Sequence, residues 1–233
     1  MSLRDPEVVR AEYATETGLA GRKAAYRFAE GPNPYDVALQ AVAETRPRRI
    51  VEVGCGKGEL AERMQADLGA EVIALDQSER MVELTRARGV AAVVGDVQAL
   101  PFADGEFDSA VAAWMLFHVP DLDRALSELA RVLRPGGRLV AVTNGSGHLQ
   151  ELRDLLGVEP FDFNFHGDNG IEVLSRHFGR VTRRDATGWI AFPDRDSAQG
   201  YVDSSITWRG RELPRFEGAL RVRRSPYVFV ADK

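Results

Sequence analysis

The chain has 233 residues, of which 44% are hydrophobic and 28% charged, and its net charge is −5. This length suits one well-buried domain, and the mildly acidic balance does not favour nucleic acid or an anionic membrane as a partner. Cys55 is the only cysteine, residues 1–10 lack the apolar core of a signal peptide, and no long apolar run exists. We therefore expect a cytoplasmic protein that has no disulfide and does not enter a membrane.

Strand-like and helix-like patterns alternate from residue 34 to residue 144. The predicted strands, rich in apolar and β-branched residues, are 49–54, 70–76, 90–96, 107–115 and 138–144. The predicted helices are 34–45, 58–68, 78–88 and 121–133, and the glycines of RPGG at 134–137 are expected to end the last one. This alternation predicts right-handed βαβ units and a parallel sheet covered by helices on both faces.

The pattern becomes less regular after residue 145. We predict short helices over 146–156 and 171–177, and closing strands over 180–185 and 227–231. Residues 193–215 match neither the helical nor the strand pattern.

Three glycines alternate with other residues in VEVGCGKGEL, residues 51–60, directly after the first predicted strand. Gly54, Gly56 and Gly58 favour a ligand that lies against bare backbone. A dinucleotide fingerprint requires a third glycine at position 59, where Glu59 would repel a pyrophosphate. A phosphate-binding P-loop would require Gly-Lys-Ser or Gly-Lys-Thr at its end. The loop therefore predicts a ligand without phosphate at this point.

The arrangement E-x-G-x-G-x-G at residues 52–58 resembles motif I of the class I methyltransferases that use S-adenosylmethionine. Further segments agree in order: AEVIALD ending at Asp76, GDVQALPF at 95–102, FDSAVAAWMLFHVPD at 107–121 and RVLRPGGRLV at 131–140. The resemblance implies an α/β, Rossmann-like fold with a seven-stranded, mostly parallel sheet and helices on both faces. Its expected strand order is 3-2-1-4-5-7-6, with strand 7 antiparallel, and ligands bind at the C-terminal strand ends.

The resemblance also implies the residues that contact the cofactor. Glu52 would meet the cofactor's ammonium, Asp76 would accept from both ribose hydroxyls, and Asp96 would accept from the adenine amine. The full set of candidates is Glu52, Gly54, Gly56, Gly58, Asp76, Gln77, Asp96, Val97, Ala113 and Tyr26. Local alternatives remain open: Glu52 as part of a salt bridge, Asp96 as a loop cap, and Ser78 as a helix N-cap.

Candidate acceptor residues follow the fourth strand or lie in the irregular segments. His118 is the candidate general base, because the unperturbed pKa of histidine is near neutrality, with backbone-bonded packing as the alternative. Trp114, Tyr13 and His166 are candidate substrate contacts. No Cys/His cluster has the spacing of metal ligands, so no metal site is expected.

The predicted function is S-adenosylmethionine-dependent methyl transfer to a small-molecule acceptor by in-line displacement. The expected organisation is one domain over 1–233, with a helical lid over 1–45, a cofactor-binding core over 49–144, and substrate-side segments and closing strands over 145–233. One alternative is a cofactor-binding protein without turnover. Another is an RNA methyltransferase, suggested by the clusters Arg183–Arg184 and Arg221, Arg223 and Arg224, although a nucleic-acid partner is not expected.

Overall fold

The computed structural model describes residues 26–160, 163–205 and 207–233. The strands are β1 Ala29–Glu30, β2 Arg49–Val53, β3 Glu71–Asp76, β4 Ala91–Val94, β5 Phe107–Ala113, β6 Leu133–Asn144, β7 Arg180–Asp185, β8 Gly188–Phe192, β9 Leu220–Arg224 and β10 Pro226–Asp232. The α-helices are α1 Pro34–Ala43, α2 Glu59–Leu68, α3 Glu79–Ala87, α4 Leu122–Val132, α5 Gln150–Leu156, α6 Gly170–Leu174 and α7 Arg195–Ser204. Short 3₁₀ turns cover Tyr26–Phe28 and Leu116–His118.

Seven of these strands form the central sheet in the order β4-β3-β2-β5-β6-β10-β7. β10 is antiparallel to both β6 and β7, whereas the other neighbours are parallel. Numbered by their places in the predicted sheet, these strands read 3-2-1-4-5-7-6, so the predicted order and the antiparallel strand are confirmed. The C-terminal ends of β2, β3, β5 and β6 consequently meet at one edge of the sheet.

Hydrophobic clusters cover both faces of the central sheet, which explains why its inner strands are mostly apolar. The α4 helix packs Leu126, Leu129 and Val132 on one face, where they join Phe107 and Phe229 in one cluster. The other face carries α1, α2 and α3, whose buried residues at helical spacing join the second cluster. No helix in the described ranges has the length and apolar composition needed to cross a bilayer.

The junction between α4 and β6 corrects the sequence prediction. RPGG does not form a glycine cap: the helix ends at Val132, Leu133 is already extended, and β6 begins there instead of at residue 138. The glycines instead allow close approach between neighbouring strands. Gly136 donates its N–H to the carbonyl of Lys233, and a Cβ on Gly137 would lie 3.1 Å from the Asp108 carbonyl oxygen. The pairing with β5 shifts register at this point.

Two predicted helices are shorter than expected. The helix predicted over 146–156 begins only at Gln150, because the N–H groups of Gly145 and Leu149 donate to the carbonyls of Ser225 and Arg223 and not to a preceding turn of helix. The helix predicted over 171–177 is Gly170–Leu174. The N-terminal lid stays a prediction: residues 1–25 lie outside the described residues, and 26–45 contain a 3₁₀ turn, β1 and α1.

A second, antiparallel sheet of order β1-β8-β9 was not predicted; we call these three strands the cap sheet. β8 follows β7 and β9 precedes β10 after single short connections, so the cap sheet extends from the edge where β7 ends and β10 begins. Because β10 is antiparallel, this is the same edge at which the parallel strands end. The cap sheet and α7 bury their own cluster, which includes Ile190, Phe192, Val202 and Val222.

Arg224 joins the cap sheet to the N-terminal segment. Its side chain is 1% exposed and donates to the carbonyls of Glu30, Pro32 and Ala186 at 2.6–3.3 Å. The approach is so close that a Cβ on Gly188 would lie 2.1 Å from the Glu30 oxygen. A buried guanidinium therefore replaces apolar packing at this junction.

Candidate cofactor and acceptor site

The three glycines of the loop after β2 have different environments. All three adopt positive φ: 66° at Gly54, 54° at Gly56 and 73° at Gly58. A Cβ on Gly54 would lie 2.6 Å from the Met115 side chain, and one on Gly58 would lie 2.6 Å from Thr85. A Cβ on Gly56 would meet no atom of the described residues within 4 Å. Packing thus requires the outer glycines, whereas the middle one borders open space that a ligand can enter.

Asp76 ends β3 and holds this loop in place. Its carboxylate accepts from the backbone N–H of Gly56 at 2.9 Å and from that of Ser78 at 3.0 Å. Burial raises the pKa of Asp76 above its ordinary value. Each oxygen still has acceptor capacity, so the side chain can both fix the loop and accept from ligand hydroxyls. Gln77 is exposed beside it, and Ser78 caps α3 by accepting from Met81, as its local alternative expected.

Glu52 is the most unusual group of the site. It is 2% exposed within β2, and its Oε2 atom has no hydrogen-bond partner among the described residues. Burial raises its pKa to about 8, with a further contribution from Asp76, while the backbone N–H of Ala61 opposes the shift. Glu52 therefore forms no salt bridge with any described residue, which was the local alternative to a ligand contact. A buried acid with one oxygen left without a partner in the described structure fits a ligand that brings a cation or a donor.

Asp96 follows β4 and has a local partner. Its Oδ1 accepts from the backbone N–H of Gln98 at 2.8 Å, and both oxygens accept from the Gln98 side-chain amide at 3.0–3.1 Å. The loop-capping alternative is thus present, and the adenine contact stays a prediction. Val97 is 1% exposed and packs in the same cluster as Leu75.

Trp114 lies where β5 ends, directly after Ala113. Its φ of 53° is in the left-handed region, which is uncommon for a bulky residue and occurs most often at functional sites. The indole Nε1 donates to Asn144 Oδ1 at 3.2 Å, which links the ends of β5 and β6. The ring centroid of Tyr35 is 5.1 Å away. Trp114 and Tyr35 therefore form an aromatic wall beside the glycine loop.

Tyr35 was missed by the sequence analysis. Burial raises its pKa, and the charges of Tyr26, Glu52 and Glu59 raise it further, which places its hydroxyl near the cofactor candidates. Burial also raises the pKa of Tyr26, against the effect of Arg224. An available signal was the spacing of Tyr35, which precedes Ala38 and Val42 by three and seven residues and so shares the face of α1 on which they are buried.

The remaining acceptor candidates occupy different positions. His118 ends the 3₁₀ turn after β5, with its ring 4.4 Å from that of Phe117. His166 Nδ1 lies 3.3 Å from Asp168 Oδ2, and the next residue, Gly167, donates its N–H to the Asn144 carbonyl at 2.9 Å. Asn144 therefore brings the Trp114 and His166 segments together. Tyr13 lies outside the described residues.

Known proteins resemble this chain in sequence and in architecture. Residues 51–141 match the family model described as a methyltransferase domain. A malonyl-[acyl-carrier protein] O-methyltransferase from Pseudescherichia vulneris is 40% identical over 119 residues, which are 50% of this chain and 47% of that protein. A demethylmenaquinone methyltransferase from Thermus thermophilus is 39% identical over 112 residues, 45% of this chain and 51% of that protein.

Residues 51–141 therefore resemble the methyltransferase domain that this family model describes. The fold is shared more widely: a Haemonchus contortus phosphoethanolamine N-methyltransferase 2, solved with phosphomonomethylethanolamine and S-adenosylhomocysteine, aligns with a TM-score of 0.65 at 17% identity, over 100% of this chain and 60% of that one. The chain spans about half the length of the curated relatives it matches.

The methyltransferase cofactor fits what the site offers. Glu52 Oε2 is a buried acceptor that has no partner among the described residues, which suits an ammonium group. Asp76 keeps acceptor capacity for hydroxyls, and Gly56 leaves room for a ligand to approach the backbone. None of these groups provides a phosphate site, in agreement with the loop sequence.

We predict that alanine at Gly56 and at Gly58 acts through different causes. Gly58→Ala adds a clash with Thr85 to its backbone strain and should destabilise the domain by more than the roughly 1–2 kcal/mol of a left-handed residue. Gly56→Ala should destabilise the domain by about the backbone strain alone. It should nevertheless weaken S-adenosylhomocysteine binding at least about tenfold. Urea unfolding and calorimetry measure the two effects.

Gly69→Ala is the matched control, since Gly69 has φ 63° and open space around its Cβ position but caps α2 away from the loop. Unchanged cofactor affinity in Gly56→Ala would contradict the role of Gly56.

Proposed function

We propose that the protein transfers the methyl group of S-adenosylmethionine to a small-molecule acceptor. The observation that carries this proposal is the buried Glu52 carboxyl, whose Oε2 has no partner among the described residues, beside the open Gly56 position at the C-terminal edge of the sheet. The named relatives act on malonyl-[acyl-carrier protein] and demethylmenaquinone, which supports a metabolite as the acceptor. We also propose a cytoplasmic location, which suits Cys55 as a free, buried thiol.

The reaction places mostly positional demands on the protein. When bound, the cofactor supplies a methyl group activated by the positive charge of its sulfonium. Glu52 would neutralise the ammonium, Asp76 would fix the ribose, and Asp96 with Val97 would hold the adenine. Trp114 and Tyr35 would exclude water and direct the acceptor toward the methyl group. Such orientation lowers a barrier by roughly 7–11 kcal/mol when the reacting atoms are well aligned.

The structure gives the RNA alternative little support. The arginines that suggested it are engaged within the protein: Arg224 is buried, Arg221 pairs with Glu30, and Arg184 pairs with Glu44. Arg221 and Arg223 also lie over the ring of Trp189. A gel shift with RNA that weakens as salt rises would revive this alternative.

We predict that Asp76→Asn weakens S-adenosylhomocysteine binding by about ten- to a hundredfold, because hydrogen bonds to a charged acceptor contribute roughly 1.5–3 kcal/mol. The asparagine retains one acceptor oxygen for the loop, so folding should survive. Asp67→Asn, which alters an exposed acid on α2, is the control. Calorimetry that gives wild-type affinity for Asp76→Asn would show that the ribose contact is misassigned.

We predict that Glu52 destabilises the protein without cofactor as the pH rises. Its pKa is about 8 in the folded protein, against an ordinary value of 4.5. Between these pH values the unfolded chain loses the proton and the folded chain keeps it, so the free energy of unfolding falls by about 1.4 kcal/mol per pH unit. Glu52→Gln has no titrating carboxyl and so removes this contribution to the pH dependence of the free energy of unfolding.

Urea denaturation from about pH 5.5 to about pH 7.5 should therefore show Glu52→Gln gaining stability relative to the wild type as the pH increases. The same variant should bind S-adenosylhomocysteine more weakly, since a neutral amide cannot neutralise the ammonium. Parallel stability profiles for the two proteins would count against a buried, protonated Glu52.

We predict that the wild type releases S-adenosylhomocysteine when it is incubated with cofactor and a panel of small hydroxyl, carboxyl, amine and thiol compounds. If His118 is the general base, His118→Ala should lower kcat by about 10²–10⁴-fold while cofactor affinity changes little. His177→Ala, which removes a histidine bonded to Asp123, is the control.

Cofactor binding without product from any member of the panel would favour the binding protein without turnover. An equal loss of binding and turnover in His118→Ala would assign His118 to packing or to the cofactor site.

A further inference from the structure

The loop after β6, residues 145–149, is tied to the junction between β9 and β10. Gly145 donates its N–H to the Ser225 carbonyl at 2.8 Å, and Leu149 donates to the Arg223 carbonyl at 2.7 Å. Ser225 in turn donates its N–H to His148 Nδ1 at 3.0 Å. Leu149 has φ 55°, a strained conformation that persists only where the surroundings determine it strongly. The structure therefore holds His148 in one defined position.

His148 presents a fixed donor. Since Nδ1 accepts from Ser225, the neutral ring carries its proton on Nε2. Burial lowers the pKa of His148 to about 3, and the charges of Arg153 and Arg224 lower it further, so the ring stays neutral at physiological pH. The Nε2–H has no acceptor among the described residues. A half-buried donor is thus left for a ligand.

Arg153, in the middle of α5, adds a second N–H group without a partner among the described residues. The side chain is 4% exposed and donates to the carbonyls of His148 at 2.5 Å and Ser146 at 2.8 Å, and to the side chain of Gln150. Its Nε atom is buried and has no acceptor in the described ranges. Burial lowers the pKa of Arg153 although the acids Asp154, Glu151 and Glu159 oppose this effect.

The positive charge of this cluster is only partly offset by Asp154, Glu151 and Glu159, which act on Arg153 without forming a salt bridge with it among the described residues. Neither Arg153 nor Arg224 forms a salt bridge with a carboxylate in the part of the chain that the structure describes; both donate mainly to carbonyl groups. Burying a charge is costly unless an opposite charge or several strong hydrogen bonds compensate. An anionic ligand would provide both the charge and the missing acceptors.

The position of the cluster places it beside the proposed acceptor site. His148 lies four residues beyond Asn144, which ends β6 and accepts from the Trp114 indole. β6 is separated from β2 and its glycine loop by β5 alone. A group bound at His148 would therefore lie on the acceptor side of Trp114, away from the cofactor acids Glu52 and Asp76.

We propose that His148, Arg153 and Arg224 form an anion subsite and that the methyl acceptor carries a carboxylate recognised there. The inference rests on the proposed function, which places the acceptor at this strand edge. The N–H groups at His148 Nε2 and Arg153 Nε, which lack acceptors among the described residues, would donate to a carboxylate, and the arginines would supply its counter-charge. An ammonium group would instead meet donors and positive charge, so the subsite discriminates against cationic acceptors.

The test compares acids with their neutral amides. Benzoate, phenylacetate and hexanoate, each beside its primary amide, are titrated into the wild-type protein with and without saturating S-adenosylhomocysteine, and binding is followed by ligand-observed NMR. We expect every acid that binds to do so at least about tenfold more tightly than its own amide. His148→Asn keeps an acceptor for the Ser225 N–H but loses the Nε2–H, so it should reduce this preference with cofactor affinity unchanged.

His177→Asn is the matched control, because its ring bonds Asp123 on α4, and it should leave the preference intact. Arg153→Lys retains the charge but loses the Nε–H, and should also reduce the preference, which provides a second variant if His148→Asn fails to fold.

Equal binding of acids and amides by the wild type, including binding of neither, would overturn the proposal. An acid preference that survives in both His148→Asn and Arg153→Lys would overturn it as well. Failure of the proposed function is separate and visible, since it would appear as no affinity for S-adenosylhomocysteine.

Discussion

The geometry of the site depends on the hydrogen bond from Gly56 to the Asp76 carboxylate. This 2.9 Å contact joins the ends of two neighbouring parallel strands and holds the glycine loop open. The second Asp76 oxygen orients the start of α3 through Ser78, so one side chain sets the position of two helix entries. Because the bond uses a charged acceptor in a mostly buried place, it is stronger than a typical hydrogen bond of the backbone.

Charge is divided across the C-terminal edge of the sheet. Glu52 and Asp76 lie at β2 and β3, whereas Arg153, Arg224 and the neutral His148 lie beyond β6. Trp114 and Asn144 lie between the two groups and are joined by a hydrogen bond. A cationic cofactor on the acidic side and an anionic acceptor on the basic side would each meet complementary charge. The division would also disfavour the acceptor entering the cofactor half.

Local patterns predicted the central sheet well, because its strands and helices follow periodicities that depend on nearby residues. The order of the strands came from the resemblance of five segments, among them Glu52–Gly58 and Asp76, and not from periodicity. The cap sheet could not be predicted in this way: β1 has two residues, and its partners at 189–190 are about 160 positions away. RPGG was misassigned because a glycine after a helix suits a cap and a strand irregularity equally.

The site residues also divide into those that a local sequence pattern predicts and those that depend on distant contacts. Glu52, Gly56 and Asp76 were predictable because each belongs to a segment with a recognisable order, whereas Tyr35, His148 and Arg153 gain their meaning from distant contacts. Glu52 Oε2 and Arg153 Nε share one property that no sequence pattern reports: each is a buried polar atom without a partner in the described structure. Such atoms raise the free energy of the folded protein until a ligand satisfies them. Binding that removes this penalty stabilises the same residues that create it, which couples the stability of the fold to occupation of its site.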